Sequence, residues 1–222
     1  MAHLNAQKSE AGWAVARVRG TAADVHGQPL PAQFTRTVRL VEVTEPALVL
    51  GSTQPAVPGR GIEVVRRRSG GGAVLVGPGE VVWADVFVPA DDPLWEQDVG
   101  VAFHWLGDVW SAALRSLGLT ATSHRGPMVC TAWCREVCFA GLGPGEVTVD
   151  GRKAVGIAQR RTRAGSLFQC AALLRWEPAP IVELLDLPVE AADDLARLAL
   201  ALAAAGADVE RAFLSALGAN DA

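Results

Sequence analysis

Three observations predict an α+β fold. Short β-rich segments fill most of the chain between Trp13 and Arg175. One long stretch of helical periodicity, Asp98 to Gly118, interrupts them. Helical texture then returns only after Pro188. Strands and helices are therefore segregated rather than alternated as in parallel βαβ sheets.

Taken in order, residues 1–12 are polar and are expected to form a tail. Trp13–Arg19 and Thr37–Val43 have strand texture. Glu45–Pro46 interrupts it, and Leu48–Leu50 runs apolar into Gly51. Val57–Gly61 is a Pro/Gly loop, and Ile62–Arg66 is rich in β-branched residues. After a glycine-rich stretch, Val81–Pro89 reads as a strand closed by the turn residues Ala90–Pro93. In the Asp98–Gly118 helix, Ala102, Trp105, Leu106, Val109, Ala113 and Leu117 recur at three- and four-residue steps. Asp98 suits the cap and Gly118 the stop. Asp150–Gly151 between Glu146–Asp150 and Lys153–Gln159 is a hairpin signal. Leu167–Arg175 is a further strand, and Val189–Ala205 and Asp208–Leu217 read as two helices separated by Gly206. The expected organisation is a tail (1–12), a main domain (13–180) and a C-terminal helical flank (181–222).

Composition narrows the class. The chain has 222 residues, 50% hydrophobic and 20% charged, which is ample for a core without disulfide or metal staples. No repeat or heptad is visible, and no stretch of about 18 apolar residues free of charge suggests a membrane span. Met1–Glu10 lacks the apolar segment of a secretory signal, so a cytoplasmic protein with four reduced thiols is expected. The net charge is −4, too weak a basic balance for nucleic acid. It is unevenly spread: residues 177–222 carry nine acids and two arginines. The basic runs are Arg60 with Arg66, Arg67 and Arg68, then Arg152, Lys153, Arg160, Arg161 and Arg163. Such runs are either solvated loops or a groove for a phosphate or an acidic partner.

The segment Arg66–Arg67–Arg68–Ser69–Gly70–Gly71–Gly72–Ala73–Val74 lies between two strands. No Gly-Lys-Ser/Thr follows it, so it is not an NTPase phosphate loop. No helix opens after it, so it is not a dinucleotide fingerprint. It reads either as a flexible turn or as a loop whose backbone comes close to a ligand, with arginines as fixed donors.

The only lysines are Lys8 and Lys153, and there is no tyrosine. A lysine just past a tight turn ordinarily points to water. Cys130, Cys134 and Cys138 are spaced to share a helix face. With His124 awkwardly placed and no fourth ligand nearby, no metal is expected. Cys138 enters the loop Phe139–Ala140–Gly141–Leu142–Gly143–Pro144, a setting for a reactive thiol if a cation comes near. Cys170 sits in an apolar strand and reads as core.

In this order, Pro46–Gly51, Arg66–Val74 and Gly151–Gln159 resemble the biotin/lipoate protein ligase family, which includes lipoate ligases and octanoyltransferases. The resemblance covers roughly residues 13–180. It implies a central mixed, largely antiparallel sheet flanked by helices. It also implies transfer of a lipoyl or octanoyl group to the lysine of a lipoyl carrier domain, either glycine cleavage H protein or 2-oxoacid dehydrogenase E2. Lys153 matches the family lysine that contacts the acyl carbonyl or acyl-adenylate. Arg66, Arg67, Ser69, Gly70, Gly71, Gly72, Ala73 and Val74, with Gly156 and Ala158, match the acyl- and nucleotide-binding positions.

The resemblance leaves two branches. A ligase activates lipoate or octanoate with ATP and Mg²⁺. A transferase needs no cofactor and takes the acyl group from acyl carrier protein onto a cysteine, and Cys138, fifteen residues before Lys153, matches that pattern. A divergent member that binds an acyl group or carrier domain without turnover is the alternative. Two departures are visible: Val76 stands where the family commonly has a histidine, and the N-terminal helix is eroded at Thr21–Pro31. On this reading Lys153 serves chemistry alone, so Lys153→Ala is expected to leave the fold intact.

Overall fold

The structure, a computed structural model, describes residues 3–10 and 12–220. The chain begins with β1 (His3–Glu10), β2 (Trp13–Gly20), α1 (Ala22–Gly27), β3 (Thr37–Val43) and β4 (Ala47–Leu50). It continues through β5 (Glu63–Arg66), β6 (Val74–Val76), β7 (Val81–Pro89), α2 (His104–Ser116), β8 (Ala121–Ser123), β9 (Val129–Cys130) and β10 (Gly141–Leu142). It closes with β11 (Val147–Val149), β12 (Arg152–Arg161), β13 (Gly165–Leu173), α3 (Pro178–Leu184), α4 (Ala191–Leu198) and α5 (Gly206–Ala219).

The main sheet has eight strands in the order β1-β2-β3-β7-β13-β12-β11-β8. Only the β2–β3 pair is parallel, so the sheet is mixed and largely antiparallel. A smaller sheet, β5-β4-β6, covers one of its faces, and β9 and β10 form a third pair.

Alternation along β7 shows how the layers arise. Val82, Ala84, Val86 and Val88 join the cluster beneath α2 and α5, where Trp110 stacks on Phe213 at 4.1 Å. Val81 and Trp83 face the other way, toward Val49, Val74 and Val76 of the small sheet. β4 is buried throughout because it is covered on both sides. Ala47 and Val49 meet the main sheet, while Leu48 and Leu50 pack with Ile181 and Leu195 from α3 and α4. The space between the two sheets holds the candidate site.

Local chemistry moves several boundaries. Residues 3–10, expected as a tail, pair antiparallel with β2. The expected helix from Asp98 starts as a 3₁₀ turn, Val101–Phe103, with the Asp98 carboxylate accepting from the Gly100 and Val101 N–H groups. The expected helix Val189–Ala205 stops at Leu198. Beyond it, Leu200 N–H donates to the Lys153 carbonyl and Leu202 N–H to the Leu173 carbonyl, so main-sheet acceptors outcompete helix continuation. Among the described residues no helix is long and apolar enough to cross a membrane.

Candidate active site

The hairpin turn sets up the lysine. Asp150 and Gly151 both have positive φ, 50° and 78°, as a two-residue turn of this kind requires. One residue later the register slips: Thr148 pairs with Lys153, but Val147 pairs with Val155. Ala154 is therefore the extra residue of a β-bulge, and a bulge re-aims its neighbours. Val155 and Ile157 face α2, whereas a Cβ on Gly156 would lie 3.5 Å from Lys153 Cε. The bulge thus turns Lys153 to the same face as Gly156, into the space between the sheets. That is why a lysine just past a turn, expected at the surface, is 3% exposed.

The ammonium is fully engaged. Lys153 Nζ pairs with Glu146 Oε2 at 2.6 Å and donates to the carbonyls of Cys138 at 2.7 Å and Gly141 at 2.9 Å. The thiol of Cys138 lies 3.9 Å away, and the Phe139 ring 5.2 Å. Glu146, also buried, accepts from the N–H groups of Gly143 (2.7 Å) and Ile157 (3.1 Å). Glu146 was not singled out from sequence. The available signal was a carboxylate closing Gly143–Pro144–Gly145, directly before a strand.

The glycine loop positions Cys138. Ala73 N–H donates to the Glu136 carbonyl at 2.7 Å, and the Ala73 carbonyl accepts from Cys138 N–H at 2.8 Å. This pairing brings the backbones so close that a Cβ on Gly72 would sit 2.6–2.8 Å from Val137 and Cys138 backbone atoms. Only glycine fits there. Arg67 is 5% exposed and holds the loop's shape, donating to the carbonyls of Gly70 (2.7 Å), Gly72 (2.8 Å) and Val49 (3.3 Å).

Cys138 is half-buried where two cavities meet. One is an open mouth lined by Gly70–Gly72, Lys153, Glu146 and Ala158. The other is an apolar cavity between the sheets, walled by Val49, Val74 and Val76 and floored by Gly156 and Ala171. Strand register explains the floor: Gly156, Ala171 and Trp83 lie in one row across β12, β13 and β7. Glycine and alanine leave the volume, and Trp83 ends it. His26 from α1 lies over Trp83 with ring centroids 4.8 Å apart. Burial lowers the His26 pKa to about 4; Asp85 opposes this, while Arg67 and Arg39 reinforce it, so the ring is neutral near pH 7.

The sequence matches the lipoyl protein ligase A/B catalytic domain over residues 29–196. The chain belongs to this family. Solved structures share the fold at low identity. A lipoate-protein ligase A bound with ATP gives a TM-score of 0.66 at 18% identity, covering 84% of this chain and 72% of that one. A bipartite lipoate protein ligase from Thermoplasma acidophilum, described with its E2 lipoyl domain, gives 0.68 at 18% identity, covering 85% and 72%. No curated protein sequence matches significantly.

For a lipoyl protein ligase A/B catalytic domain, the sequence-expected residues divide clearly. Lys153, Cys138, Gly70, Gly71, Gly72, Gly156 and Ala158 converge on the two cavities, and Val74 walls the inner one. Ala73 is fully buried and acts through its backbone. Ser69 is buried and donates to Gln169 Oε1 at 2.9 Å. Arg66 turns away to donate to the Gly51 and Gln54 carbonyls. Arg67 thus spends its donors on backbone oxygens, whereas the exposed Arg66 uses Nη1 alone.

The cysteine expectations need correction. Cys130, Cys134 and Cys138 do not share a helix: Cys130 is in β9, and Cys138 opens a 3₁₀ turn. Cys130 and Cys134 are joined in a disulfide, not held as reduced thiols. Cys170 is buried, and burial pushes its thiol far above the ordinary range. His26, unnoticed in the sequence, supplies an imidazole to the same cavity that the apolar Val76 lines.

Proposed function

We propose that this chain transfers a lipoyl or octanoyl group to the lysine of a lipoyl carrier domain through a thioester on Cys138. The observation that carries this reading is the position of the Cys138 thiol. It stands where the open mouth meets the apolar cavity, 3.9 Å from Lys153 Nζ. Cys138 Sγ attacks the donor thioester carbonyl. A new S–C bond forms, and the donor thiol leaves with a proton. The carrier lysine amine then attacks the Cys138 thioester, an amide forms, and Cys138 regains its thiol with the proton that the amine releases. Lys153 releases one backbone acceptor to meet each developing oxyanion. Burial of the acyl chain against Gly156, Ala171 and Val76 supplies binding energy, at about 0.8 kcal/mol per CH₂.

In this reading residues 13–180 form the acyl-transfer domain and 181–222 its flank. The partners are a lipoyl domain, of H protein or E2 type, and acyl carrier protein as donor. A second reading, an acyl-adenylate made from ATP, draws on the likeness to an ATP-bound lipoate-protein ligase A. The transferase is favoured because the Cys138 thiol stands where the mouth meets the apolar cavity, and because Arg67, the buried arginine of the glycine loop, spends Nε, Nη1 and Nη2 on backbone carbonyls.

The test compares the parent with Cys138→Ser, each given a lipoyl domain plus either octanoyl carrier protein or octanoate with ATP and Mg²⁺. Loss of carrier-protein-dependent modification in Cys138→Ser supports the transferase. Retained ATP-dependent modification of the lipoyl domain supports the ligase. Acyl binding without either product marks a non-catalytic member.

A further inference from the structure

The site-facing side of the main sheet is arranged in rows. Behind Gly156–Ala171–Trp83 comes a polar row, Ala158–Gln169–Asp85–Arg39, and behind that Arg160–Leu167–Phe87. The apolar cavity is therefore short. From Gly156, beside Cys138, to Trp83 is two strand spacings, about 10 Å. Its far end is built from His26 and Gln169, and these same residues also line an outer pocket with Arg39, Arg68 and Arg160.

The charges behind this wall do not balance. Asp85 is fully buried and accepts from Arg39 and from Trp83 Nε1 (2.8 Å), so it is spent on Arg39. Among the described residues, Arg68 and Arg160 have no carboxylate partner. Burial and the neighbouring Arg68 charge both lower the Arg160 guanidinium below its ordinary value. The His26 ring makes no hydrogen bond to a described residue; its contact is the tilted packing of its ring against Trp83. Arg68, which is exposed, and Arg160, which is partly exposed, both line this pocket, so an anionic chain end would meet two cations and a ring N–H that a methyl end would leave unused.

We propose that the cavity takes a medium-chain acyl group ending in a carboxylate, the half-thioester of a dicarboxylic acid. It is read at its far end by His26 and Gln169 and neutralised by Arg68 and Arg160. This rests on the acyl-transfer reading of Cys138 and names its substrate class. The acyl carbonyl lies at the Lys153 end, the methylenes cross the small residues Gly156 and Ala171, and the carboxylate reaches the arginine pocket.

The probes are octanoate and octanedioate, titrated calorimetrically into the full chain. Octanedioate is expected to bind about tenfold more tightly and to compete with octanoate. In Arg68→Gln/Arg160→Gln, which breaks no ion pair, the ratio falls to about one. Equal or tighter octanoate binding, or a ratio that survives the double variant, overturns the proposal. So does octanedioate binding that octanoate does not displace, and so does failure of both acids to bind. N-acetylcysteamine thioesters of the two acids separate this from the parent reading. If octanedioate binds competitively but neither thioester acylates Cys138, acyl transfer through Cys138 fails while the ligand assignment stands.

Discussion

Lys153 Nζ pairs with Glu146 Oε2 at 2.6 Å, and both side chains are more than nine-tenths buried. The lysine is therefore part of the packing as well as of the site. Removing it strands a buried carboxylate. Contrary to the sequence-based expectation, Lys153→Ala should cost about 3–5 kcal/mol of stability. Lys153→Met with Glu146→Leu should recover most of that loss while remaining inactive. Urea unfolding of both variants checks this; a single variant as stable as the parent would show that Glu146 is not stranded.

Gly72 faces the Val137–Cys138 backbone, and a single methyl group there meets atoms at 2.6–2.8 Å. Those atoms are main chain and cannot rotate aside. Gly72→Ala should displace Cys138 and slow its acylation by about tenfold or more. Gly70→Ala, where a Cβ meets nothing within 4 Å, should not. Equal acylation rates in the two variants would separate the glycine loop from the thiol's placement.

Cysteine reactivity should follow environment. Without reductant, iodoacetamide should modify Cys138 first, because it is free and half-buried at the mouth. Cys170 is fully buried, and its thiol is held protonated. Cys130 and Cys134 should become reactive only after reduction. Peptide mapping over time reads the order, and early labelling of Cys170 would contradict it.

His26 gives stability a pH dependence with a definite sign. Its pKa is about 4 folded, against 6.5 as the ordinary value. Between those values the unfolded chain binds more protons, so acid favours unfolding. The contribution is complete above about pH 6.5, is lost as pH falls toward 4, and totals about 3 kcal/mol. His26→Gln should flatten this part of the profile. An unchanged slope in that variant would remove His26 as its source.

Much of the fold was legible because the signals were local. Asp150–Gly151 specifies its hairpin, and the α2 stripe specifies a helix face. Lys153, Cys138 and the glycine loop were singled out through the family resemblance, and the structure brings them to the same two cavities. What escaped depends on distant partners. Glu146 is significant only because a one-residue bulge turns Lys153 toward it. His26 lies in a six-residue helix without apolar periodicity and reaches the cavity through Trp83, 57 positions away in sequence. The end of α4 is set by main-sheet carbonyls that no helix propensity anticipates.

The central claim is that Cys138 carries the acyl group, and intact-mass spectrometry tests it most directly. After mixing the protein with octanoyl carrier protein, a single octanoyl adduct should appear. It should map to Cys138, be released by hydroxylamine, and pass to a lipoyl-domain lysine on chase. A lipoyl domain that becomes octanoylated while Cys138 stays unmodified, or while Cys138→Ser works as well as the parent, would contradict the account.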